Sequence, residues 1–444
     1  MLGYYLILGW RSLWKTPIIS VLMMLVLGLG MSFSLVLLTV MESSRYNPMQ
    51  HKIDNLYAVQ LDNWSDDPAN IFFGSKNFIP TAISFRDAKA LLASDIPTRA
   101  TMLTASGAML ENPGNKEVAP QLHSGYLVTR DFFSMFDVAF ASGGAWEKQN
   151  SYNGIHAIVL NEWLSNTLFG SVDSVGEMLL VDGTPYTVSG VVKGDWYMAP
   201  RVYDYSKNPF GSSPGFYFPL EDIALNDYKR WGGIYGWKQE EINSHQQFLA
   251  SEALWVRPWL EFESSQQKEL FETFVKAYVE QEQNNGRYEG SNKVVLSNST
   301  QWMSIQEGYQ AYADYVLAAL ILLICTTNSI ALLMAKFLKT TADSAIRRAL
   351  GASRYSIFTQ HMFEAFLVAL GGGVFSLLIS YYWFAVINRT MSGWDYQFLS
   401  QFTKLSPVSL IFVFVLVLVA TTLSGALPAW RVSKTEPGRY LNAE

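Results

Sequence analysis

Four stretches of this chain are apolar for about 20 residues or more, the length that carries a helix across a bilayer. They lie at roughly residues 18–41, 315–337, 357–387 and 408–427. Lipid leaves no water to pair with backbone N–H and C=O groups, so each run can only be a helix. Their order constrains everything else. About 270 residues separate the first run from the second, which is the size of a domain and not of a loop. Only 16% of the residues are charged, against about 25% in ordinary soluble proteins. The expected fold is a four-helix α-helical membrane protein with a large α+β domain outside the membrane.

Flanking charges set the orientation, because Lys and Arg next to spans mark the cytoplasmic side. Arg11 and Lys15 precede span one. Lys336, Lys339, Arg347, Arg348 and Arg354 lie between spans two and three, and Arg431, Lys434 and Arg439 follow span four. These clusters fall on one side only if the 270-residue segment lies on the other. The reading divides the chain into an interfacial helix (1–17), span one (18–42), the outside domain (43–312), span two (313–337), a cytoplasmic loop (338–356), span three (357–388), a short outside loop (389–406), span four (407–428) and a cytoplasmic tail (429–444). Span one reads as an uncleaved anchor, since its apolar core is too long for a signal peptide and no A-x-A-like site follows. Tyr4, Tyr5, Trp10 and Trp14 favour the membrane interface.

Within the outside domain, residues 157–161 (AIVLN) read as a buried strand and 163–169 as a short helix. Residues 178–181 and 186–192 flank Asp182-Gly183, a hairpin signal. Residues 266–285 have helical periodicity, with Leu270, Phe271, Phe274, Val275 and Tyr278 on one face. The aromatic, glycine-rich stretch 196–237 has no clear period and is expected to be irregular.

Most chemistries find no support. No Gly-Lys-Ser or Gly-Lys-Thr occurs, so this sequence contains no P-loop. The five histidines are scattered, no H-E-x-x-H occurs, and Glu240, Glu241 and His245 make only a weak metal signal. Catalytic and metal sites are therefore expected to be absent. The single cysteine, Cys325, lies in span two and allows no intrachain disulfide. No basic face suggests nucleic acid. Gly28 and Gly30 in span one, and Gly372 and Ser376 in span three, are small residues that let helices approach closely. Asn328 in span two should face another helix, because an unpaired amide in lipid is costly. No Asp, Glu, Lys or Arg is expected deep in any span.

Between spans two and three the chain reads Asp343, Ser344, Ala345, Ile346, Arg347, Arg348, Ala349, Leu350, Gly351, Ala352, Ser353, Arg354. This resembles the E-I-G-I-R-R-A-L-G-A-S-R loop of MacB-type (FtsX-like) ABC transporter permeases. Residues 155–192, IHAIVLNEWLSNTLFGSVDSVGEMLLVDGTPYTVSGVV, are similar to the family's most recognisable outside stretch, and 427–437 to its P-A-W-R ending. The resemblance implies a permease subunit that relays ATP-driven movement to a periplasmic domain, for efflux of a drug, peptide or other periplasmic substrate. It also implies an inner-membrane location, a second permease subunit, alike or unlike, and a cytoplasmic ATPase pair that binds ATP and magnesium. A periplasmic adaptor and an outer-membrane channel are implied as well. Asp343, Ile346, Arg347, Arg348, Leu350, Gly351 and Ser353 would then contact the ATPase. Asp343 stands where the family has Glu. Lipoprotein release, or a scaffold controlling a cell-wall hydrolase, remain alternatives.

Overall fold

The computed structural model describes residues 2–45, 50–52, 54–62, 79–115, 117–147, 156–194, 202–203, 214–224, 230–231, 233–234, 236, 240–288, 293–299, 301–302, 310–390 and 407–434. Its helices are α1 (Leu2–Lys15), α2 (Pro17–Arg45), α3 (Phe85–Leu92), α4 (Asp131–Met135), α5 (Glu162–Phe169), α6 (His245–Ala250), α7 (Ser265–Asn284), α8 (Gln310–Lys339), α9 (Thr341–Ala349), α10 (Arg354–Thr390) and α11 (Pro407–Ser433). Its strands are β1 (Leu56–Leu61), β2 (Ile83–Ser84), β3 (Arg99–Glu111), β4 (Gln121–Val128), β5 (Phe140–Gly143), β6 (Ala157–Asn161), β7 (Met178–Val181), β8 (Thr184–Val192), β9 (Phe216–Pro219), β10 (Leu254–Glu261) and β11 (Val294–Asn298). The chain divides into two compact units, Met1–Tyr46 with Glu307–Glu444, and Asn47–Gln306.

The second unit is built on one mixed sheet, ordered β11-β1-β10-β3-β4-β9-β6-β8-β5, with β2 on β10 and β7 on β3 and β8. Two pairings, β4 with β9 and β6 with β8, are parallel. The central strands carry continuous apolar sequence because both faces of the sheet are covered. Alternate residues go to opposite sides. Ile158, Leu160, Phe216 and Phe218 join one core, and Val159 and Tyr217 join the other. The second core is aromatic, with Phe132 and Phe133 from α4 and Phe136 at its C-terminal cap against Tyr217 and Trp259.

Local signals explain the ends of these elements. Asn161 caps α5 by accepting from Leu164 N, and Gly170 ends it at φ 68°. Ser264 caps α7 in the same way through Gln267 N. Asp182 and Gly183 both have positive φ, as a type I′ hairpin turn requires. Two readings need correction. In α7, Phe271, Val275 and Val279 are buried, but Leu270 is exposed and does not share their face. Much of 196–237 lies outside the described residues, yet Phe216–Pro219 is a fully buried strand and not an irregular loop.

Among the described residues, the first unit contains four helices long and apolar enough to cross a membrane, over Pro17–Leu37, Val316–Lys339, Arg354–Ile387 and Leu410–Ser433. The last runs through Pro428 to Ser433, beyond the expected end at 428. Helix α1 is separate from the first of these. Thr16 interrupts the helix, and Pro17 starts α2 at a position where its missing N–H is no loss. Tyr4, Ile7, Trp10 and Trp14 are exposed on α1, while Leu13 is buried. The readings for 389–406 and 435–444 fall almost wholly outside the described residues.

Candidate functional site

Helix α9 is a nine-residue connector between two long apolar helices. Thr341, Ser344 and Ala345 form its buried face. Its exposed edge is apolar, since Ile346 is 51% accessible and Leu350, the residue that caps the helix C-terminus, is 83% accessible. Asp343 lies one turn before Ile346 and makes an exposed 3.5 Å ion pair with Lys15, a contact worth about 0–1 kcal/mol. Arg347 is half-buried and donates to Gln360 Oε1 of α10 at 2.8 Å. Arg348 is half-buried too. The apolar pair, more than the arginines, is therefore presented to solvent.

The helix ends in a Schellman motif. Gly351 N donates to Arg348 O, and Ala352 N to Arg347 O, each at 3.0 Å. Gly351 has φ 102°, a region that side chains with a Cβ rarely adopt. Ser353 Oγ then accepts from Ser356 N at 3.1 Å and starts α10. Ser353 thus acts within the chain, as a cap.

Beneath α9 lies a feature that corrects the expectation of charge-free spans. Lys336 of α8 and Glu364 of α10 form a 2.6 Å ion pair, with side chains 0% and 2% accessible. Ser12 of α1 donates to the same carboxylate at 2.6 Å, and Lys336 Nζ reaches Ser20 Oγ of α2 at 3.2 Å. His361 Nδ1 stands 3.6 Å from the other carboxylate oxygen, and its ring packs 4.2 Å from that of Phe337. Lys336 reads in the sequence as one more flanking charge. Glu364 is hidden between aromatic residues, and its only signal is the three-residue spacing from His361.

The small residues do bring the spans together. A Cβ on Gly28 would lie 2.9 Å from Gly372 O, and one on Gly30 would lie 2.7 Å from Cys325 Cβ. These contacts join α2 to α10 and α2 to α8. Ser376 is buried and donates to Gly373 O in its own helix, while Ser32 and Ser380 bond across helices at 2.9 Å. Asn328 is the exception. It is exposed on α8 together with Leu320, Leu323 and Ile324, and does not face the other spans of its own chain.

The second unit has its own buried polar centre, assembled from residues that no sequence spacing links. Arg287 contacts Asp87 at 3.0 Å and Glu252 at 2.7 Å, and also Glu282. Tyr278 OH donates to Asp87 Oδ1 at 2.7 Å. Burial works against the guanidinium charge but is outweighed by Glu252, Asp87 and Glu282, which hold Arg287 above its ordinary range. Burial and the Asp87 charge push the Tyr278 hydroxyl up. Burial would raise the Glu282 carboxyl, yet the Arg287 hydrogen bond wins and holds it below its ordinary 4.5. A lowered folded value means that Glu282 stabilises above 4.5 and loses that contribution as pH falls through the folded value. A Glu282→Gln chain should therefore lose less thermal stability than the wild type between about pH 5 and about pH 3. Melting curves at both pH values check this. Among the described residues, no group of three or more His, Cys, Asp or Glu could hold a metal ion.

Two family models match the chain. The MacB-like periplasmic core domain covers residues 20–245, and the FtsX-like permease C-terminal region covers 315–437. The Macrolide export ATP-binding/permease protein MacB of Escherichia coli O6:K15:H31 is 21% identical over 434 residues, 97% of this chain and 59% of that protein. A Probable export ATP-binding/permease protein of Pseudomonas fluorescens is 22% identical over 313 residues, 70% of this chain and 41% of that protein. The chain thus spans 59% or less of the length of these relatives. The periplasmic region of MacB from Actinobacillus actinomycetemcomitans aligns with 60% of this chain and 97% of its own, at 12% identity and a TM-score of 0.35. The first family model alone covers half of the sequence, and the second adds three of the four apolar helices. The chain belongs to the MacB-like, FtsX-like family of ABC transporter permeases.

Proposed function

We propose that this permease is a mechanical relay, driven from the cytoplasm by a separate ATPase pair that binds ATP and magnesium. The observation that carries the reading is the exposed apolar edge of α9, Ile346 and Leu350, on a short helix fixed at both ends between two spans. Such an edge suits a hydrophobic socket on a soluble partner. Partner movement would then pass along α8 and α10. A second permease subunit, alike or unlike, would cover Asn328, whose amide gains a hydrogen-bonding partner only from outside the chain's own bundle. The outside domain would lie in the periplasm and act on an efflux substrate such as a drug or peptide, with an adaptor and an outer-membrane channel completing the path.

Two results test this. With Cys325 replaced by Ala, a cysteine at exposed Lys276 should react with an impermeant thiol reagent from the periplasm, and one at Ser353 only after permeabilisation. Periplasmic labelling at Ser353 would sink the topology. Gly351→Val keeps every charge but costs about 1–2 kcal/mol in the left-handed region. It should leave insertion intact while weakening ATPase association or ATP-dependent export. Normal co-purification together with normal export would remove α9 from the coupling role.

A further inference from the structure

The buried pair Lys336–Glu364 sits where four helices converge. Glu364 of α10 accepts from Ser12 of α1 and pairs with Lys336 of α8, and Lys336 reaches Ser20 of α2. His361 extends the cluster toward α9, its Nε2 standing 3.5 Å from Ser344 Oγ. One carboxylate and one ammonium thus tie α1, α2, α8 and α10 at the end of the bundle that carries α9. Charges are rarely buried among apolar helices without a task, because their desolvation is expensive and well-packed apolar side chains stabilise as well or better. A pair that adds little stability still fixes geometry, since its oxygens and nitrogen satisfy one another in only one arrangement of the helices.

We infer that Lys336 and Glu364 are positioning residues that lock these helix ends into one rigid body, so that displacement of α9 moves the spans on both sides of the outside domain together. The outside domain is inserted between α2 and α8, and both are held by Lys336, through Ser20 and through its own backbone. Without the pair, α9 would still present Ile346 and Leu350 but would push on α8 and α10 alone. This inference rests on the relay reading above.

The test uses the complete complex with its ATPase in nanodiscs. Hydrogen exchange in the outside domain is compared with ADP and with ATP plus vanadate. The variant Lys336→Met/Glu364→Met removes both charges at similar volume, a change that buried pairs tolerate. It should insert, bind the ATPase and hydrolyse ATP. The nucleotide-dependent exchange difference in the outside domain should fall at least about fivefold, the low end of site-to-site coupling. If that variant fails to insert, Lys336→Met/Glu364→Gln, which keeps the Ser12 contact and leaves no unpaired charge, should show the same loss. A wild-type exchange difference in whichever variant inserts would overturn the inference while leaving the relay intact. No nucleotide response in the wild type would overturn the relay and the inference with it.

Discussion

Replacing Arg287 with leucine should cost the outside domain about 3–5 kcal/mol, the usual penalty for removing one partner from a buried charge network. Asp87 is fully buried and Glu252 and Glu282 nearly so, and all three would lose the cation that offsets their desolvation. The elements they hold are α3, the turn before β10 and α7. A loss of that size is a large share of the total stability of a typical domain. Tryptophan-fluorescence melts should show a greatly lowered or absent transition. Arg86→Leu is the control. Arg86 stands 3.6 Å from Glu282 but is half-exposed, so its loss should cost no more than about 1 kcal/mol. Equal losses in the two variants would show that burial does not decide the energetics here.

Gly28→Val should disrupt the packing of α2 on α10. The new Cβ would meet the backbone carbonyl of Gly372 and the Cβ of Phe375, both at 2.9 Å. Neither can swing aside as the tip of a long side chain can, so the helices must separate. Overpacking of this kind costs about 1–3 kcal/mol, and the displacement would spread to the Ser32–Ser380 contact one turn away. Gly3→Val is the matched control, because nothing lies within 4 Å of its Cβ. The detergent-purified Gly28 variant should melt well below the Gly3 variant, and coincident melts would refute the close approach.

The spans and the Asp182-Gly183 hairpin were legible because their signals are local. Twenty apolar residues cannot be hidden, and a positive-φ dipeptide between two strands has few other uses. Phe216–Pro219 was not legible, because a four-residue apolar run buried on both faces shows no alternation and its parallel partner β4 lies about 90 residues earlier. The Arg287 centre draws on residues 87, 252, 282 and 287, and no spacing rule links them. At the candidate site the sequence located α9 and its terminal glycine. The spacing did not separate the exposed members of the expected set, Ile346 and Leu350, from Arg347, which donates back to Gln360. The Lys336–Glu364 pair was not legible, because Lys336 reads as one more flanking base and no local spacing links it to a carboxylate on another helix.

The pairing of β1 with β11 has a mechanical consequence. Tyr57, where the chain enters the sheet, is paired with Asn298, where it leaves. Unequal tension on the two connections would load this ladder from its open end, one rung at a time. That is the direction in which an antiparallel pair resists least, because the hydrogen bonds then break in succession and not all at once. Equal displacement of both connections puts no load on it. The domain can therefore be carried by its two tethers in step, and would begin to peel at its own first rung if one tether led the other.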